Sequence, residues 1–212
     1  MVAAEPAILQ PAADEVNSKR RQILDGARKV FMDLGFDGAS MGEIARSAGV
    51  SKGTLYVYFA DKCRLFEAIV EDELAKGQLA FNFDPARDLT TTLRDYGKTY
   101  IAMLCRPGGG SAIRTVMGIA ERMPDVGRRY YKLGLEQNIN RLAAYLAEHV
   151  KTGELAIDDC RLAAAQFPLM CQASLFLRFI FQAAPPPSSE RIAEVIESAT
   201  RMFLAAYQVK AA

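Results

Sequence analysis

Apolar residues recur three and four positions apart along most of the chain, and glycines, prolines and capping residues cut that pattern into helices. Ile23, Ala27, Val30, Phe31 and Leu34 form a first stripe, which stops at Gly35. Ser40 followed three residues later by Glu43 is a capping box, in which hydroxyl and carboxylate each satisfy the other residue's amide. It predicts a second helix with Ile44, Ala45 and Ala48 inward, ended by Gly49, which can take the left-handed conformation. Val50 plugs the turn, Ser51 offers another N-cap, and Leu55 with Phe59 gives a third helix its inward pair. Asp61 caps a fourth helix through Leu65, Phe66, Ile69, Val70 and Leu74.

The remainder reads as longer helices with short punctuation. Asp84-Pro85 opens one that runs through Leu93, Tyr96, Tyr100, Met103 and Leu104 to Pro107 and the Gly108–Gly110 triplet. Ser111 begins another up to Met123, and Pro124-Asp125 opens a long helix through Tyr130, Leu133, Leu135, Ile139, Leu142, Leu146 and Val150, closed by Gly153. The last two span about 158–181 and 189–207, separated by Ala184 and three prolines. No strand-like alternation competes, so the expected fold is all-α, with about nine helices. Residues 18–64 form a three-helix helix-turn-helix domain, residues 65–212 a larger helical domain, and residues 1–17 a tail read as disordered, with neither signal-peptide nor anchor pattern.

The third helix turns Ser51, Lys52, Gly53, Thr54, Tyr56 and Tyr58 outward. Its first turn presents unpaired amides and the positive end of a dipole, which attract phosphate oxygen, and Gly53 has no side chain to hold a backbone away. Lys52 and Lys62 add charge for phosphates, Thr54 can meet a base edge or a thymine methyl, and the tyrosines have rigid rings with hydroxyls to reach phosphate. Lys19, Arg20 and Arg21 oppose the dipole at the start of the first helix, a placement that a phosphate partner explains better than the helix does. The whole chain carries a net charge of only +1, but residues 18–64 alone carry +4. The basicity lies where the motif lies.

In this order and spacing, Arg21-Gln22-Ile23-Leu24 with Ala27 and Phe31, Gly35-Phe36, Ile44-Ala45, Ala48-Gly49-Val50-Ser51, Gly53-Thr54-Leu55-Tyr56, Tyr58-Phe59, Lys62 and Leu65-Phe66 resemble the tetracycline-repressor (TetR) family of bacterial transcription regulators. The resemblance covers about residues 18–66. It implies a homodimer that binds a palindromic DNA operator with the third helix in the major groove, and an intersubunit four-helix bundle made by the last two helices. By position it carries DNA contact to Ser40, Ser51, Lys52, Gly53, Thr54, Tyr56, Tyr58 and Lys62. Two positions depart: Ser40 stands where threonine is common and keeps the hydroxyl, and Cys63 stands where glutamate is frequent.

Cys63 lies between Lys62 and Arg64 in the first turn of a helix, where a lowered thiol pKa is expected, and this supports an alternative, redox-responsive regulator. The second alternative, an architectural DNA-binding protein, requires basicity that the second domain lacks. The favoured reading is a repressor released by a small hydrophobic effector. Candidate pocket residues on the middle helices are Phe66, Phe81, Tyr96, Tyr100, Met103, Met117, Asn138, Phe167, Met170 and Cys171. A single histidine, His149, has no partner at ligand spacing, so no metal or cofactor is expected; one histidine and no nucleophile motif argue against an enzyme. The most apolar stretch, Leu162 to Phe181, is interrupted by Gln166, Pro168, Gln172 and Arg178, which argues against a membrane span and for a cytoplasmic protein.

Overall fold

The computed structural model describes residues 13–79, 81–105 and 112–209. Among them are ten helices and no strand: α1 (Ala13–Gly38), α2 (Met41–Ser47), α3 (Lys52–Tyr58), α4 (Lys62–Leu79), α5 (Leu89–Leu104), α6 (Ala112–Ile119), α7 (124–151), α8 (Cys160–Gln172), α9 (Phe176–Ile180) and α10 (Ser189–Tyr207). The chain divides into two compact units between Ile69 and Val70. That point lies within α4, a few residues beyond the Arg64–Leu65 boundary read from the sequence, because Leu65 and Phe66 are buried and Phe66 belongs to an aromatic cluster with α1.

In the first unit, α1 covers the two short helices. Ile23, Leu24, Ala27, Val30 and Phe31 are buried, together with Ile44 and Ala45 from α2 and Leu55 from α3. The approach of α1 to α2 is unusually close. A Cβ placed on Gly26 would lie 2.5 Å from the Ala48 Cα and 2.6 Å from its nitrogen, so only glycine fits there. Two bonds fasten the same contact: Gln22 Nε2 donates to the Ala48 carbonyl at 2.7 Å, and Ser47 Oγ donates to the Gly26 carbonyl at 3.0 Å. Gly35 takes a left-handed φ of 69° and bends the chain, after which one further turn reaches Gly38. Phe36, just past the bend, stacks on Phe31 at 5.7 Å, and Phe66 meets both rings edge-on. The helix begins at Ala13, so residues 13–17 of the expected tail are helical; residues 1–12 lie outside the described residues.

The second unit is built on α5, α7, α8 and α10. Leu93, Tyr96 and Ile101 of α5, Leu142, Tyr145 and Leu146 of α7, Phe167 and Cys171 of α8, and Ile196 and Phe203 of α10 share one core. Gly97 lets α5 approach α10, since a Cβ there would meet Ile196 Cδ1 at 2.8 Å and Cys171 Sγ at 3.1 Å. Near the C-terminus, Leu155 and Gln208 form an isolated antiparallel bridge.

Several boundaries differ from those read in the sequence. Asp84 makes a turn, accepting from the Arg87 and Ala86 amides, and α5 starts only after Asp88, whose carboxylate takes the Thr91 amide at 2.7 Å. The glycine triplet lies outside the described residues. Helix α6 stops at Ile119 rather than Met123, where Arg122 N–H turns back to the Ile119 carbonyl. Helix α7 is continuous but widens into a π-helical segment over Tyr131–Glu136. The single penultimate helix expected over 158–181 is two, because Ala173 leaves helical geometry and Ser174 takes a φ of 59°. Arg191 of α10 holds Ser174 Oγ at 3.0 Å at that break.

Gly26→Ala should destabilise the protein by about 1–3 kcal/mol, because backbone of α2 cannot yield as a side-chain tip could. Gly118, which lies in α6 with nothing within 4 Å of an added Cβ, provides the contrast. Gly118→Ala should be neutral or stabilising by about 0.4–1 kcal/mol. Thermal unfolding followed by circular dichroism checks both; an unchanged midpoint for Gly26→Ala would contradict the packing described.

Candidate functional site

Local chemistry sets the reading unit. Ser40 Oγ accepts the Glu43 amide at 3.2 Å and Glu43 Oε2 accepts the Ser40 amide at 3.0 Å, closing the capping box at the start of α2. Gly49 takes a φ of 65° and turns the chain toward α3. Ser51 Oγ accepts the Thr54 amide at 3.0 Å and lies 2.8 Å from Thr54 Oγ1, so the first turn of α3 is capped by both hydroxyls. Leu55 and Phe59 face inward and are buried.

What α3 leaves outward is a mixed polar and aromatic surface. Ser51, Lys52, Gly53 and Tyr56 are exposed, while Thr54 and Tyr58 are half-buried. The Lys52 stem folds back toward α2, its Cε 3.0 Å from where a Cβ of Gly42 would stand, which places the ammonium beside the N-terminal turn of α2. Ser40 is exposed at that same turn. Two helix N-termini and a lysine therefore sit close together, a local surface that favours phosphate.

Lys62 is placed differently from the expectation. Its ammonium donates to the carbonyls of Phe36 at 2.7 Å and Ala39 at 2.9 Å, approaches that of Asp37 at 3.4 Å, and lies 4.7 Å from the Phe36 ring centroid. An ammonium has three protons, and the carbonyls at and just past the end of α1 surround it. Lys62 is thus a clamp between α4 and α1 rather than a free phosphate donor. Of the basic cluster on α1, Arg20 lies over the Phe59 ring at 5.5 Å and braces α1 against the end of α3, while Lys19 donates to Gln22 at 3.0 Å one turn along α1.

Two exposed residues were missed in the sequence. Val57 of α3 is 82% exposed, the most exposed large apolar side chain among the described residues of the unit. Its position two residues after Leu55, off the Leu55–Phe59 row, was the available signal. Arg46 is exposed in the last turn of α2. A valine methyl suits a thymine methyl, and a guanidinium suits a phosphate.

The Cys63 thiol is pushed up from its ordinary value, first by burial and then by Asp61 and Glu67, which outweigh Lys62 and Arg64. The expected lowering is therefore corrected: the flanking acids and partial burial disfavour the thiolate. His149 is buried, with Nδ1 2.7 Å from Glu154 Oε2 and its ring edge-on to Tyr145 at 4.6 Å. Among the described residues no group of three His, Cys, Asp or Glu could hold a metal ion, and no helix is long and apolar enough to cross a membrane.

The expected pocket residues separate into three groups. Phe81, Tyr100, Met103 and Asn138 line one cavity of about 70 Å³, completed by Leu74, Leu104, Tyr130, Gly134 and Leu135. Tyr96, Phe167, Met170 and Cys171 pack in the core around it: Tyr96 accepts from Asn138 Nδ2 at 2.7 Å and lies 5.9 Å from Phe167. Phe66 and Met117 do not belong there. Phe66 is in the core of the first unit, against Phe31 and Phe36, and Met117 is 63% exposed. The π segment that supplies Gly134 and Leu135 has no simple sequence signal, which is why that wall was missed.

Comparison with known proteins agrees with this geometry. A family profile described as "Bacterial regulatory proteins, tetR family" matches residues 23–69, and one described as "AefR-like transcriptional repressor, C-terminal domain" matches residues 91–209. The HTH-type transcriptional repressor Rv1474c of Mycobacterium tuberculosis is 38% identical over 60 residues, 28% of this chain and 32% of that protein. The chain therefore matches only about a third of the length of that curated relative. Solved structures match throughout. A TetR-family regulator of Mesorhizobium loti superposes with a TM-score of 0.82 at 27% identity, covering 91% of this chain and 98% of the other. The flavonoid-responsive regulator FrrA superposes with a TM-score of 0.76 at 31% identity, covering 92% and 100%. With its reading unit and its helical second unit both matched, the chain belongs to the tetR family of bacterial regulatory proteins.

Proposed function

We propose that this protein is a transcriptional repressor that grips a palindromic operator as a homodimer and lets go when a small, largely apolar molecule enters the second unit. The observation that carries the DNA-binding part is the outward face of α3, set between two capped helix starts, with Lys52, Thr54, Tyr56 and Val57 available to a groove. Ser40, Ser51 and Gly53 let phosphate approach the amides of α2 and α3.

Dimerisation is supported by α8, α9 and α10. Leu169, Leu177 and Met202 are each more than half exposed, and Phe181, just past α9, is 78% exposed, large apolar side chains that a partner could cover. A second copy covering them would give the assembly two α3 helices, and a palindrome presents its two half-sites in successive major grooves about 34–36 Å apart. The protein needs that pairing because one reading unit contacts only half a palindrome.

Release is supported by the walls of the cavity. Leu74 of α4 rests against Gly134 of the π segment, so closely that a Cβ on Gly134 would stand 2.6 Å from Leu74 Cδ2. Arg129 of α7 pairs with Glu71 of α4 nearby. A cavity of about 70 Å³ is smaller than the ~150 Å³ that accepts benzene in another protein, so an occupant must displace a wall. Leu74 and the flexible Met103 are the side chains best able to yield. Leu74 stands on the same continuous helix as Leu65 and Phe66, which are in the core of the reading unit. An occupant that favours the displaced wall shifts the population away from the DNA-competent state, to the extent of its differential affinity.

Tyr56→Ala and Lys52→Ala should each weaken operator binding about tenfold or more with helical content intact, and Lys52→Ala should flatten the dependence of log affinity on log salt by about one contact. Lys62→Met should instead lower the thermal midpoint, since it removes a clamp. Fluorescence anisotropy at several salt concentrations and thermal unfolding separate these outcomes; full operator affinity in both Tyr56→Ala and Lys52→Ala would exclude the assigned face. Because its thiol is pushed up, Cys63 should alkylate slowly at neutral pH, and diamide should leave operator affinity unchanged; a reversible loss on oxidation that Cys63→Ser abolishes would restore the redox reading.

A further inference from the structure

The cavity in the second unit has a chemical signature that narrows its occupant. Its lining of Leu74, Phe81, Met103, Leu104 and Leu135 is apolar, and among the described residues no Lys, Arg, Asp, Glu or His takes part. The two phenols in the wall stay neutral: burial pushes both Tyr100 and Tyr130 up to about 12. Larger depressions elsewhere in this unit, of about 400 and about 700 Å³, differ in kind, because Arg87, Asp95 and Lys98 line one and Arg94, Glu197 and Arg201 the other.

Within the apolar cavity one polar residue is incompletely used. Asn138 is only 8% exposed, and its Nδ2 donates to Tyr96 at 2.7 Å. Its Oδ1 is buried and has no hydrogen-bond partner. The Tyr100 hydroxyl, by contrast, already accepts from Gln172 Nε2 at 2.7 Å. A buried amide oxygen without a donor is costly, and a site that leaves one in place is completed by whatever supplies the donor.

We infer that the cavity takes an uncharged, predominantly apolar molecule bearing a hydroxyl or N–H group, which donates to Asn138 Oδ1, and that it rejects carboxylates. This rests on the reading of the cavity as the effector site and names the class of effector. An ionised carboxylate entering here would lose its water and find no cation among the described lining residues, whereas a neutral hydroxyl satisfies the orphan acceptor and leaves its apolar body against Leu74, Met103 and Leu135. The same chemistry fixes what discriminates between close analogues: methylating the hydroxyl removes the donor, adds bulk and leaves Oδ1 unsatisfied.

The test uses three matched probes, 2-naphthol, 2-methoxynaphthalene and 2-naphthoate, titrated into the full-length protein by calorimetry and, in parallel, into its complex with fluorescent operator DNA. The expected order is 2-naphthol about tenfold tighter than 2-methoxynaphthalene, with 2-naphthoate at least about a hundredfold weaker than 2-naphthol. Asn138→Leu should bring the naphthol and methoxy compounds within about twofold of each other. The wild-type order stands as a test even where that variant folds poorly. Equal or tighter binding of the methoxy compound, tighter binding of the naphthoate, or no binding of any probe overturns the inference. The expected order without any loss of operator occupancy supports the inference on the cavity and sinks the effector role; operator release by the naphthoate alone does the reverse.

Discussion

Two helices of seven residues each do not hold their shape in water, because helix nucleation costs more than so few hydrogen bonds return. Everything this protein does with DNA therefore depends on the contact that holds them, the approach of α1 to α2 at Gly26 and Ala48. Glycine makes the approach possible, the Gln22 and Ser47 bonds fix its register, and Leu55 then buries α3 against the platform so formed. Capping alone would start these helices; only the close approach keeps their outward residues in a fixed arrangement. Lys62 extends the same logic from α4 by holding the carbonyls at the end of α1. A basic residue near a DNA-reading helix can thus serve the shape of the reader instead of touching the reading matter.

The second unit follows a different rule. Its core is aromatic and well filled, with Tyr96, Phe167 and Phe203 at its centre, yet α7 departs from α-helical winding over six residues where it borders the cavity. A π segment places an extra residue in one turn, and such segments occur frequently at functional sites. It stands opposite Leu74 of α4.

How much of this could be read in the sequence depends on the distance over which each feature is decided. The capping box at Ser40 and Glu43, the Ser51 cap, the left-handed Gly49 and the extent of the last helix are settled by residues three or four apart, and all stand where the sequence put them. The inward and outward residues of α3 followed from helical spacing, with Val57 the exception because a valine invites an inward reading. The missed features are decided across the fold. Lys62 reaches carbonyls more than twenty positions back, the Asn138–Tyr96 pair joins residues 42 apart, and the break at Ser174 is held by Arg191 from another helix. Phe66 illustrates the limit most plainly. Its spacing assigned it to a long lever helix, but which unit it served depended on Phe31 and Phe36, and no periodicity states that.

A dimer that presents the outward face of α3 twice would select particular palindromes. Mapping the sites that the protein occupies across the genome of its own cell tests this most directly. The expected result is a small number of sites sharing one inverted repeat, with half-site centres about one or a small multiple of a helical turn apart. Broad occupancy with no recurring repeat would contradict it and would mark the protein as a general DNA-coating factor.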